Sequence, residues 1–158
     1  MAATTSKTSK AWLLTFGKDY RAAVGAHEMT HVLLDMDYHK VPCSPSYCDT
    51  VVIWEKHILP VLDVPSLLEK DSNVRYQHRI LGVAIYQEDP THPLIYNALS
   101  LITMPENILV EDSNACELPS HLSHWKEFAI SCFLYEGEAV PVLDLNYLFT
   151  GIHHRDVS

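Results

Sequence analysis

Residues 60–68 read Pro60, Val61, Leu62, Asp63, Val64, Pro65, Ser66, Leu67, Leu68, and residues 141–149 read Pro141, Val142, Leu143, Asp144, Leu145, Asn146, Tyr147, Leu148, Phe149. The two phrases begin 81 residues apart, from 60 to 141, about half of the 158-residue chain. The match extends backwards at the same offset, with Val52, Ile53, Trp54, Glu55 facing Phe133, Leu134, Tyr135, Glu136. Each copy is an apolar run, a polar pair, a second apolar run closed by Asp, and a Leu-containing turn of helix. That pattern describes a strand, a tight turn, a returning strand and a short helix, repeated by internal duplication. Asp63 and Asp144 fall where strand gives way to helix, the place for a side-chain oxygen that accepts from exposed helix N–H groups.

Outward from the repeat, turns recur every several residues and sustained helical periodicity is scarce. Trp12 to Phe16 and Tyr20 to Val24 flank Gly17, Lys18 and Asp19 as a hairpin, and Ala26 to Leu34 is mixed. Pro42, Ser44, Pro45 and Ser46 mark a loop before the strand Thr50 to Trp54, and Lys56 with His57 turns into Ile58 to Asp63. Pro60 and Pro65 predict an edge strand or a strand start there. Polar Glu69 to His78 forms the junction between halves. Ile80 to Tyr86 and Leu94 to Met104 make a second hairpin, and Pro105 to Trp125 reads as a long loop or short helical turns. Phe128 to Tyr135 and Ala139 to Leu143 close the second copy. The expected fold is all-β with short helices, two small barrels or sandwiches related by duplication. The expected layout is a loose tail at 1–10, one domain at 11–150 with halves at about 11–75 and 76–150, and a tail at 151–158.

Composition narrows the function classes. An apolar fraction of 47% fills a core, and a formal charge of −9 opposes a nucleic-acid surface, which needs clustered Lys and Arg. No apolar run approaches the roughly 20 residues that span a bilayer, so no membrane insertion is expected. Met1 to Lys10 carries no apolar segment of a secretion signal, which points to a cytoplasmic protein whose Cys43, Cys48, Cys116 and Cys132 are reduced thiols. Their spacing does not suggest a zinc site.

The hairpin ending at Tyr20, the Val41, Pro42, x, x, Pro45 loop, the Val51, Val52, Ile53 strand, then Ile58 to Asp63 with Leu67 and Leu68, resemble the CheW-like domain of bacterial chemosensory systems. Ile130 to Phe149, with Gly137 and the Val140 to Leu145 run, resembles the C-terminal half of the same family. The resemblance covers roughly residues 11 to 150. It implies two five-stranded SH3-like barrels packed about a shared apolar core, and a non-enzymatic adaptor without a cofactor. Such adaptors couple chemoreceptor cytoplasmic tips to a histidine kinase, presenting barrel faces and the groove between barrels, and so regulate motility.

Relatives usually carry Arg-Gly in the turn before the Pro-Val-x-Asp strand, where this chain has Glu55 and Lys56. An Arg fork is replaced by an acid and a permissive glycine by a lysine. The acidic position of the family's Val-x-Glu-Val-Leu segment falls near Glu28 and Met29 counting forward from Tyr20, and on His31 counting back from Val41. The expected partner-binding residues are therefore Trp54, Glu55, Lys56 and His57 with Glu28, Met29 and His31. The departure at the turn is closer to accessory CheW-like proteins of type IV pilus twitching systems. Trp54 abuts the variant turn, and an aromatic beside charges is a common anchor. Trp12 and Trp125 read as core or rim aromatics.

A rival signal is His27, Glu28, Met29, Thr30, His31, an HExxH string. On a helix the two histidines would share a face and bind zinc, with Glu28 as general base of a metallopeptidase. Against it, composition alone produces such a string in about 4% of comparable chains. Tyr20 to Gly25 reads as a strand, and Leu34 and Asp37 stand where the extended motif wants glycine and histidine.

Overall fold

The strand, tight turn, returning strand and helix predicted from the repeat form in both copies. The computed structural model describes residues 7–68 and 80–155. Its strands are β1 (Thr8–Gly17), β2 (Tyr20–Gly25), β3 (Met29–Leu34), β4 (His39–Lys40), β5 (Thr50–Trp54), β6 (His57–Leu62), β7 (Ile80–Tyr86), β8 (Ile95–Leu101), β9 (Glu106–Glu111), β10 (Ala129–Tyr135) and β11 (Glu138–Leu143). Two helices, α1 (Val64–Leu68) and α2 (Leu145–Arg155), follow the two copies of the repeated phrase. The junction expected at Glu69–His78 lies outside the described residues, as do Met1–Ser6 of the expected N-terminal tail.

Two sheets result, one of five strands in the order β10-β11-β2-β1-β9 and one of six in the order β3-β7-β8-β6-β5-β4. With the two-residue β4 set aside, the orders match, β5 and β6 corresponding to β10 and β11, and β3 to β9. The hairpins are exchanged: β1–β2 of the first half completes the sheet of the second, and β7–β8 completes the sheet of the first. The parallel contacts repeat as well, Val61 opposite Ala98 and its repeat equivalent Val142 opposite Ala23. The repeat boundary is thus a boundary of sequence that the sheets cross. The fold is all-β, with two barrel-like subdomains and few short helices.

By compactness the chain forms two units. One gathers the residues up to Leu13 with Ala22–Ala26 and those from Glu106 onward. Its core cluster is Ala11, Leu13, Ala23, Ile108, Phe133 and Val140, with Val110, Tyr135 and Val142 against it. The other gathers Leu14–Arg21 and His27–Pro105. It packs Val52, Leu59, Val61, Leu81, Val83 and Ala98, covered by Leu33, Met36, Tyr38, Trp54 and Tyr96. Each cluster draws on alternate residues of its strands, as a sheet with one buried face requires.

The helix starts bear out the capping role of the repeated aspartates. Ser66 N–H donates to Asp63 Oδ1 at 3.4 Å, and Tyr147 N–H donates to Asp144 Oδ1 at 3.1 Å. Both acceptors sit at the N-cap and satisfy a donor that has no carbonyl within its helix. Buried Leu145, Leu148 and Phe149 then hold one face of α2.

Three expectations change. Glu106–Glu111, read as part of an irregular stretch, is strand β9, paired antiparallel along β1 from Thr8 opposite Glu111 to Leu13 opposite Glu106. Its apolar run is only Ile108, Leu109 and Val110, of which Ile108 alone is fully buried, and it is the pairing with β1 that makes it a strand of the sheet. Pro60 lies in β6, which is interior to its sheet. The closing pair of the two-residue hairpin, Trp54 opposite His57, is a hydrogen-bonded one, so the alternation puts Pro60 opposite Val51 at a position that asks β5 for no bond. On its other side β6 pairs with β8 only at Val61 and Leu62, so the missing N–H is not needed there either. Lastly, α2 runs on through Gly151 to Arg155 where a tail was expected. One interior glycine costs a helix about 1 kcal/mol, too little to stop one already held by buried residues.

Candidate partner-binding face

The β5–β6 hairpin turns on two residues, and both have left-handed backbones, with φ of 44° at Glu55 and 67° at Lys56. Positive φ at both central positions defines the type I′ turn, whose twist suits a two-residue hairpin. The repeat-equivalent turn is Glu136 with φ 51° and Gly137 with φ 80°. Glycine occupies that second position without strain, whereas a side chain there crowds the carbonyl that follows. Lys56 therefore stands at a position the other half of the chain gives to glycine.

Side-chain alternation splits the hairpin into two faces. Inward, Val52 and Leu59 are buried, and Trp54, half-buried, packs on the core of its unit. Outward, the cross-strand partners Ile53 and Ile58 are 60% and 69% exposed. Glu55, Lys56 and His57 are exposed at and beside the tip.

Around Trp54 three further rings gather. His31 of β3 lies with its ring centre 4.8 Å from that of Trp54, and Tyr96 of β8 presents an edge to it at 6.1 Å. His57 lies 5.2 Å from Tyr96 and 6.2 Å from Trp54. Of the four, Trp54 and Tyr96 pack on the core that includes Val52, Leu59 and Val83, while His31 and His57 are exposed. Nearby Tyr38, which covers the same core, has its phenol pushed up by burial and then by the charge of Asp35. It stays a neutral hydroxyl at physiological pH. The arrangement offers a polarisable aromatic cluster beside a charged tip, with the exposed Ile53 and Ile58 on the opposite face of the hairpin. That is chemistry for docking another protein surface, since rigid aromatics give large contact area at low entropic cost.

Of the residues singled out in the sequence, Trp54, Glu55, Lys56, His57 and His31 converge here. Glu28 lies in a 3-10 turn, Ala26–Glu28, that precedes β3. Met29 is a core residue at 6% exposure, with its Sδ 2.8 Å from where a Cβ on Gly82 would stand. It fills the space glycine leaves and presents no surface to a partner. Sequence reasoning missed Tyr96, Ile53 and Ile58. The isoleucines were legible in principle, since period-two alternation with inward Val52 and Trp54 turns them outward. Tyr96 had no such signal, because its position depends on the pairing of β8 with β6 and β7.

The metallopeptidase arrangement does not form. His27 lies in the 3-10 turn and His31 in strand β3, so the two rings are not successive turns of one helix face. His31 is instead engaged with Trp54. Among the described residues no three His, Cys, Asp or Glu side chains cluster closely enough to hold a metal ion. Also among them, no helix is long and apolar enough to cross a membrane.

No family model matches the chain, and no curated protein matches it. Among solved structures it is similar to the scaffolding protein TtCheW from Thermoanaerobacter tengcongensis, with a TM-score of 0.73 over 90% of this chain and 93% of that one. Identity is 12%, so the likeness is one of fold.

Proposed function

We propose that the chain is a non-enzymatic adaptor of a bacterial chemosensory assembly, working in the cytoplasm by binding a histidine kinase, chemoreceptor cytoplasmic tips, or both. The observation that carries this reading is the likeness in fold to a scaffolding protein over nearly the whole of both chains. Support comes from the repeated Pro-Val-Leu-Asp phrase and from a surface suited to docking. In this reading the hairpin tip from Trp54 to His57, with His31, is the contact face. The Glu55–Lys56 turn, where relatives carry Arg-Gly, sets partner preference. The output is motility, and the variant turn favours pilus-driven twitching over flagellar rotation.

The test is a binding survey of the purified chain against the chemosensory kinases and receptor fragments of its source organism. At least one binds saturably. Replacing Glu55 by Arg together with Lys56 by Gly shifts preference towards the partners of typical relatives. Unchanged binding to every component removes the turn from the account, and no binding to any of them removes the adaptor role.

A further inference from the structure

Strand β10 ends its sheet, with β11 as its only neighbour in the strand order. A strand in that position leaves a row of backbone donors and acceptors open to another chain. Here part of the row is covered by the segment that follows β9. After a 3-10 turn at Asp112–Asn114, Ala115 bridges Phe133 in antiparallel fashion, and Cys116 N–H donates to the Cys132 carbonyl at 2.9 Å. That pairing sets two thiols side by side, Cys116 Sγ 3.4 Å from Cys132 Sγ. Cys116 is half-buried and Cys132 only 5% exposed. Cys43 and Cys48 belong to the other unit.

We propose that Cys116 and Cys132 are a redox pair that closes reversibly into a disulfide and locks the Asp112–Cys116 segment onto the outer edge of β10. The backbone already holds the two residues in register, and the sulfurs close from 3.4 Å to a bond of about 2.05 Å by side-chain rotation. The more accessible Cys116 reacts first. As thiolate it attacks one sulfur of a small-molecule disulfide such as oxidised glutathione, releasing one glutathione thiolate and forming a mixed disulfide. Cys132 then loses its proton to solvent and attacks Cys116 Sγ, releasing the second glutathione thiolate. Two protein thiols are oxidised, one disulfide is reduced to two glutathione thiols, and the two protons end on those thiols. Burial and then the Cys116 thiol push the Cys132 thiol up to about 12, which leaves Cys116 as the sulfur that attacks first.

The assay uses the full chain equilibrated across glutathione mixtures of increasing oxidised fraction, blocked with N-ethylmaleimide and cut with trypsin. The sequence separates the candidates cleanly. Cys116 lies on peptide 80–126 and Cys132 on peptide 127–155, each the only cysteine of its peptide, while Cys43 and Cys48 share peptide 41–56. Alkylation of Cys116 and Cys132 falls together, a linked 80–126/127–155 species appears, and dithiothreitol reverses both. The oxidised chain melts several degrees above the reduced one, because the cross-link restricts the unfolded state. Cys116→Ser keeps the reduced melting temperature and loses the oxidised gain. The proposal is overturned if both peptides stay fully alkylated while peptide 41–56 has reacted, or if glutathione remains on Cys116 without cross-linking. A linked species with no rise in melting temperature overturns it equally.

Discussion

At the scale of single residues, Lys56 is the position where local backbone preference and the sequence disagree most openly. A left-handed backbone costs an ordinary residue roughly 1–2 kcal/mol, partly offset by the chain entropy that glycine loses on folding. Lys56→Gly therefore stabilises the chain by about 0.5–1 kcal/mol in a denaturant melt. Gly137→Ala costs about 1 kcal/mol, and since no atom lies within 4 Å of the added Cβ, backbone strain is its whole cause. In the proposed reading, Lys56 is kept at the exposed tip for partner contact and not for folding. Lys56→Gly is accordingly expected to gain stability while weakening partner binding. A second residue-scale prediction concerns alkali. The Cys132 thiol, held up to about 12 in the fold against an ordinary value of 9.0, keeps its proton where the unfolded chain has lost it. Its contribution is complete below pH 9 and is lost as pH rises from 9 to 12. Stability followed across that range under reducing conditions falls less steeply in Cys132→Ala than in the parent chain.

Among elements, the two helix starts were the most legible feature of the chain. Asp63 and Asp144 were placed at caps from the repeated phrase alone, and each accepts the bond the pattern required. Replacing either by Ala costs about 1 kcal/mol, read as a lower denaturant midpoint at unchanged slope. Both hairpins of the repeat were legible for the same reason, since apolar runs flanking a polar pair encode their own turn. Strand β9 was not, because its apolar run, Ile108 to Val110, is only three residues long between Glu106, Asn107 and Glu111. What makes it a strand is the open edge of β1, and that information lies a hundred residues away in the chain. The same holds for Tyr96, whose ring reaches Trp54 and His57 only once β8 has paired with β6. A short apolar run encodes which face is buried and not which strand lies beside it in a sheet.

On the scale of the molecule, the exchange of hairpins is the property that no local pattern encodes. Each sheet takes its β5–β6 or β10–β11 pair from one half and its central hairpin from the other. Neither half of the sequence therefore contains a complete sheet. Fragments cut within residues 69–79 are each expected to lack a cooperative thermal transition alone and to regain one on mixing, followed by circular dichroism. A cooperative melt from either fragment by itself would contradict the exchange. The duplication fixed which residues face inward, while the non-local pairing fixed which rings meet, and the candidate face depends on the second.

The docking claim rests most heavily on Trp54. Titration calorimetry of the full chain and its Trp54→Ala variant against the chemosensory kinase and receptor fragments of the source organism tests it directly. The expected result is saturable binding that weakens at least tenfold in Trp54→Ala, about 1.4 kcal/mol or more, with the variant's fold intact by circular dichroism. Binding that Trp54→Ala leaves unchanged, or no binding by the parent chain to either class of partner, would contradict it.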